Sequence, residues 1–91
     1  MKTIENKSRR RVTFCLQSPA AKEVFIAGTF NGWDPRQDSL KKHSSGWKAV
    51  KYLAPGAYEY RFVVDGIWVD DPSCKKHRPN QYGSENCVLD V

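Results

Sequence analysis

The sequence predicts an all-β chain in which two antiparallel sheets pack face to face. Three observations predict it: short runs that alternate apolar and polar residues, Gly, Pro, Asn and Asp pairs between those runs, and no stretch with the apolar spacing of a helix. The 91 residues have room for one domain. A domain of this size buries only about 60–65% of its unfolded surface, so it needs one compact core. Three Trp, four Tyr and four Phe are ample material for it.

Residues 1–9 are polar and basic and are expected as a flexible segment, with the folded domain over 10–91. Val12, Phe14 and Leu16 alternate with Thr13, Cys15 and Gln17, the pattern of a half-buried strand that Ser18-Pro19 ends. Glu23 to Gly28 is a second strand, with Val24 and Ile26 on one face and Phe25 and Ala27 on the other. Asn31-Gly32 and Asp34-Pro35 then turn the chain. Residues 36–46 carry no period and are expected as a loop. A strand resumes over Trp47–Leu53, where Trp47, Ala49 and Leu53 share a core face that Lys51 interrupts. After Pro55-Gly56, Tyr58, Tyr60, Phe62 and Val64 alternate with Glu59, Arg61 and Val63. The pattern continues through Ile67–Asp70 until Asp71-Pro72 stops it, and a polar loop to Glu85 leads into a last strand, Asn86–Val91. About six or seven short strands with such turns read as an immunoglobulin-like two-sheet β-sandwich.

Asp65-Gly66, between two alternating runs, is a two-residue hairpin signal, because both central residues must take positive φ. That turn sets Val64 opposite Ile67, Val63 opposite Trp68, Phe62 opposite Val69 and Arg61 opposite Asp70. Cross-strand partners share a face. Tyr60, Phe62, Val64, Ile67 and Val69 are therefore expected toward the core, and Trp68 outside with Val63 and Arg61. A large indole facing solvent does nothing for folding and marks a partner surface. A pyranose fits it: the indole covers the apolar C–H face and a guanidinium or amide meets the hydroxyls in plane. Trp33 is either the second plate of that surface or a corner residue plugging the sandwich edge. Arg61 either meets a ligand or pairs with Asp70.

These residues resemble a known family. The run Val24-Phe25-Ile26-Ala27-Gly28-Thr29-Phe30-Asn31-Gly32-Trp33-Asp34-Pro35, followed by Pro55 to Trp68 and Asp71-Pro72, is similar to carbohydrate-binding module family 48. That family includes the glycogen-binding domain of AMP-activated protein kinase β subunits and the early-set domains of isoamylases and branching enzymes. The resemblance implies a non-catalytic module for α-1,4-linked glucan. By it, Trp33 and Trp68 stack on sugar, Arg61 binds hydroxyls where the family usually has Lys, Tyr82 presses against the glucan coil, and Ser84 and Asn86 hydrogen-bond. It also implies a glycogen-metabolising enzyme as a second partner.

Other chemistry fits less well. Retaining and inverting glycosidases place two carboxylates about 5–5.5 Å or about 6.5–9.5 Å apart, whereas adjacent Asp70 and Asp71 point to opposite faces of a strand. No catalysis is expected, and no cofactor. Cys74-Lys75-Lys76-His77 has a ligand-like gap but lacks the four ligands of structural zinc, so no metal site is expected. The net charge of +5 gathers in residues 7–11 and 75–78, away from the Trp33 and Trp68 segments, which disfavours nucleic acid. No apolar run approaches the ~20 residues of a membrane span, and no signal peptide opens the chain. Three cysteines, expected as reduced thiols with at most one internal disulfide, complete a cytoplasmic reading. Two alternatives keep the fold: a protein-interaction or regulatory module without sugar binding, and weak single-stranded nucleic-acid binding.

Overall fold

Strands form where alternation predicts them and in three places where it does not. The structure, a computed structural model, describes residues 9–91; apart from Arg9, the expected N-terminal segment lies outside the described residues. The elements are β1 (Arg10–Leu16), β2 (Val24–Gly28), a 3-10 turn (Thr29–Asn31), β3 (Asp38–Ser39), β4 (Lys41–His43), β5 (Gly46–Leu53), β6 (Ala57–Val64), β7 (Ile67–Val69), β8 (His77–Pro79) and β9 (Glu85–Asp90). One sheet has the order β1-β5-β4. The other has the order β3-β2-β6-β9-β8, with β7 also paired to β6. The chain is an all-β sandwich.

The loop expected over residues 36–46 contains β3 and β4, and the polar loop before Glu85 contains β8. All three are short edge strands held by backbone pairing, so no apolar alternation advertises them. Leu40 is the hinge between the first two. Its side chain is buried, and its amide donates to the Val24 carbonyl at 2.8 Å, so β3 pairs with β2 while β4 pairs with β5.

Between the sheets, Phe14, Leu16, Val24, Ile26, Trp47, Leu53, Tyr60 and Phe62 are buried together. Trp47 is core, as its parity predicts, and its indole N–H donates to the Ser18 carbonyl at 3.0 Å. Lys51 breaks the pattern because it sits half-buried beside Asp38 at 3.0 Å, with its ammonium 5.5 Å from the centre of the Phe30 ring. Gly28 is required where β2 passes β6. A Cβ there would lie 2.5 Å from the Glu59 carbonyl oxygen.

Tyr60 donates its hydroxyl proton to Asp71, which also accepts from the Ser73 amide at 2.9 Å and hydroxyl at 2.7 Å. Burial first, then the hydrogen bond to Asp71 and its charge, hold the Tyr60 phenol far above its ordinary range. The fold keeps that proton while an unfolded chain releases it above a pH of about 10. The unfolded state then binds fewer protons, so stability should fall as pH rises past that value. Denaturant melts of wild type and Tyr60→Phe from pH 8 to 11 check this, since the wild type should lose more stability than the variant over that interval.

Candidate functional site

The Asp65-Gly66 turn forms as the sequence predicts, with φ of 49° and 83°. Its register is Val64↔Ile67, Val63↔Trp68 and Phe62↔Val69. The Asp65 carboxylate ties the hairpin to the start of β2, accepting the Lys22 and Glu23 amides at 2.9 Å each. Ile67 departs from its expected core position and is 66% exposed. Parity puts it on the inner face, but the hairpin tip leaves it uncovered.

Trp68 projects from the outer face, 40% exposed, and covers Val63, which is buried beneath it. Phe25 continues the same row on β2, paired with Val63, and the Arg36 guanidinium lies 5.4 Å from its ring centre. Trp33 reaches this surface from the turn after β2. Its ring centroid is 6.4 Å from that of Trp68, with the planes inclined by 43°. Asn31 shapes the turn. Its side-chain oxygen accepts the Gly28 amide at 3.1 Å, and its nitrogen donates to the Ile26 carbonyl at 3.1 Å and to Asp38 at 2.8 Å. Gly32 and Trp33 then both take left-handed backbone, φ 66° and 61°, and the Trp33 amide closes onto the Gly28 carbonyl at 2.9 Å. A bulky side chain in that region is an outlier. Such strain collects at functional positions, and here it accompanies an indole set beside Trp68.

A polar row lies beside the indoles. Arg61 on β6 uses Nε at 3.1 Å and Nη2 at 2.9 Å on Asp70 Oδ1, and Nη1 at 3.3 Å on Ser84 Oγ. Asp70 is the more exposed partner, so this ion pair contributes at most about 1 kcal/mol and acts chiefly to orient the guanidinium. Asp70 and Asp71 face opposite ways, one on Arg61 outside and one on Tyr60 inside. Asn86 on β9 is only 8% exposed, and its amide nitrogen donates to Glu59 at 3.1 Å. Tyr82 stands out from the preceding loop at 82% exposure. Trp33, Arg61, Trp68 and Ser84 thus meet on one face, Tyr82 rises from the loop at its rim, and Asn86 lies mostly beneath it.

The expectation for the cysteines needs correction. Cys74 and Cys87 are joined in a disulfide, not held as thiols, and only Cys15 is free. The turn after Asp71, closed by the Cys74 amide on the Asp71 carbonyl at 3.1 Å, returns Cys74 to β9 at a Cα separation of 6.0 Å from Cys87. Three residues of the second basic run lie beside carboxylates. Lys76 pairs with Asp90 at 2.9 Å, Arg78 with Glu59 at 3.1 Å, and His77 lies 4.0 Å from Glu85. Phe25, Arg36, Glu59 and Asn80 belong to the site without having been singled out from sequence. For Asn80 a signal existed, since Asn three residues before Gly83 is turn chemistry.

A groove of about 600 Å³ lies elsewhere, lined by Arg11, Lys41, His43, Lys48 and their neighbours. The tryptophans instead form an open platform. Among the described residues, no helix is long and apolar enough to cross a membrane.

The family model for the glycogen recognition site of AMP-activated protein kinase matches residues 11–91. The chain is 38% identical over 89 residues to the mouse 5'-AMP-activated protein kinase subunit beta-2, covering 98% of this chain and 32% of that protein. It is 31% identical over 84 residues to the pig subunit beta-1, covering 92% of this chain and 66% of that sequence. It is 33% identical over 103 residues to the rice protein FLOURY ENDOSPERM 6, chloroplastic, covering 99% of this chain and 19% of that protein. The chain therefore spans about a third of the mouse subunit and about a fifth of the rice protein. A platform of two tryptophans on a sandwich sheet and a family match over nearly the whole chain agree: the chain belongs to the family of the glycogen recognition site of AMP-activated protein kinase.

Proposed function

We propose that the chain binds α-1,4-linked glucan without altering it, with Trp33 and Trp68 as stacking plates and Arg61, Tyr82, Ser84 and Asn86 around them. The observation that carries this reading is the 43° inclination of two indoles 6.4 Å apart. Coplanar plates suit the flat ribbon of a β-1,4-glucan. Inclined plates suit a chain that curves from one residue to the next, as α-1,4 linkages make it. Recognition of one short oligosaccharide should be weak, with Kd of about 10 μM to 1 mM, and a polymer adds many overlapping sites.

The second role follows from the first: held on a glucan, the module brings a glycogen-metabolising enzyme to its polymer. In a cytoplasmic setting the Cys74–Cys87 bond meets thiol reductants, so its state depends on the redox poise there.

An NMR titration tests the reading. Maltoheptaose at millimolar concentration should shift the indole N–H signals of Trp33 and Trp68 but not that of Trp47. Cellohexaose should leave all three in place. Raising salt from 50 to 500 mM should change the maltoheptaose affinity little. Silence of both platform indoles would remove the reading, and a steep salt dependence with oligonucleotide in place of sugar would replace it with nucleic-acid binding.

A further inference from the structure

We propose that Asn80 is the positioning residue of this face, setting which hydrogen-bonding groups Ser84 and Asn86 present to sugar without touching sugar itself. The inference rests on the glucan reading above.

Asn80 follows β8 and opens the loop that carries Tyr82 and Ser84. Its side-chain oxygen accepts the Tyr82 amide at 2.9 Å and the Ser84 amide at 3.2 Å. Its nitrogen donates to Ser84 Oγ at 2.9 Å and to Asn86 Oδ1 at 3.0 Å. Its own backbone amide donates to the Ser84 carbonyl at 2.9 Å. A side-chain amide has two donor hydrogens and two acceptor lone pairs. All of them are spent inside the loop, so none remains for a ligand. Two backbone N–H donors also fix which end of the amide is oxygen.

The consequence falls on Ser84. Its Oγ receives Asn80 Nδ2 on one side and Arg61 Nη1 at 3.3 Å on the other, which fills both lone pairs. The Asn80 oxygen, 3.3 Å from Oγ, already holds two amide hydrogens. The Ser84 hydroxyl proton is therefore directed away from the network, as a donor. Asn86 is oriented by the same network: its oxygen accepts from Asn80 on one of two lone pairs and one N–H goes to Glu59 at 3.1 Å, leaving one N–H and one lone pair. The network thus makes Ser84, which could accept or donate, a donor alone, and fixes which end of the Asn86 amide carries its free N–H, both matched to the lone pairs of sugar oxygens.

Asn80→Asp separates positioning from folding. The carboxylate still accepts the Tyr82 and Ser84 amides, so the turn survives. It loses both donors, and Ser84 turns its proton inward to the new acceptor. The expected result is a melting temperature within a few degrees of wild type and maltoheptaose affinity lower by about five- to tenfold, the worth of one or two neutral hydrogen bonds. Ser84→Ala should weaken binding by a similar factor. The double variant should be no weaker than the worse single one, because both changes remove the same donor. An Asp variant that binds like wild type, or losses that multiply in the double variant, would overturn the role of Asn80. A wild type that shows no indole shifts would sink the glucan reading and this one together, which is a different result from either.

Discussion

Trp68→Ala should weaken maltoheptaose binding by about five- to 150-fold while the protein stays folded. The indole is 40% exposed, so only part of its area contributes to the sandwich. What it holds in place is Val63 beneath it and the inclined partnership with Trp33. Removing one plate of two discards a stacking contact worth roughly 1–3 kcal/mol by analogy with aromatic stacking on flat rings. That corresponds to a loss of about five- to 150-fold, which moves a starting Kd of about 10 μM to 1 mM to between about 50 μM and 150 mM. Trp33→Ala should do the same to binding. It should also cost stability, because the left-handed backbone at a φ of 61° stays while the indole packing on Trp68 that offsets it is lost. Calorimetric titration paired with circular dichroism separates the two effects. Full binding by a folded Trp68 variant would mean that sugar lies elsewhere.

Reduction of the Cys74–Cys87 disulfide should have the largest effect on stability. The bond closes a loop with a sequence separation of 13 residues. Restricting the unfolded chain by a loop of that length is worth about 3 kcal/mol. In a domain of this size the melting temperature should fall by roughly 12–24 °C. The closed segment contains Asn80, Tyr82, Ser84 and Asn86, so the bond protects the most elaborate part of the candidate site. Wild type melted with a dithiol reductant and Cys74→Ala/Cys87→Ala melted without it should agree with each other and differ from the oxidised wild type. Coincident melts for all samples would show that the bond contributes nothing.

The parts of this structure legible in the sequence are those where local chemistry dictates geometry. Asp65-Gly66 permits few backbones, so the register around it and the outward direction of Trp68 and Arg61 follow from counting residues. Trp47 could be assigned to the core because its parity repeats in Ala49 and Leu53. The short strands β3, β4 and β8 were not legible, since they are recruited by the open edges of neighbours and not by apolar faces of their own. Ile67 shows the limit of parity, which names a face without saying whether anything covers it. The pairing of Cys74 with Cys87 was hidden for a different reason: three cysteines allow three pairings, and spacing does not choose among them. The proximity of Trp33 to Trp68 lay beyond local reasoning too. It depends on a left-handed turn of two residues and on β2 lying beside β6.

That last dependence has a consequence for how the chain acquires its ligand surface. The two indoles belong to segments separated in sequence by all of β3 to β6, and the β2–β6–β7 ladder makes them neighbours. Without the pairing of β2 to β6, nothing brings Trp33 and Trp68 to one surface. The surface we propose for glucan therefore exists only where that pairing is intact, and a change that opens the β2–β6 ladder should remove it even with both tryptophans present.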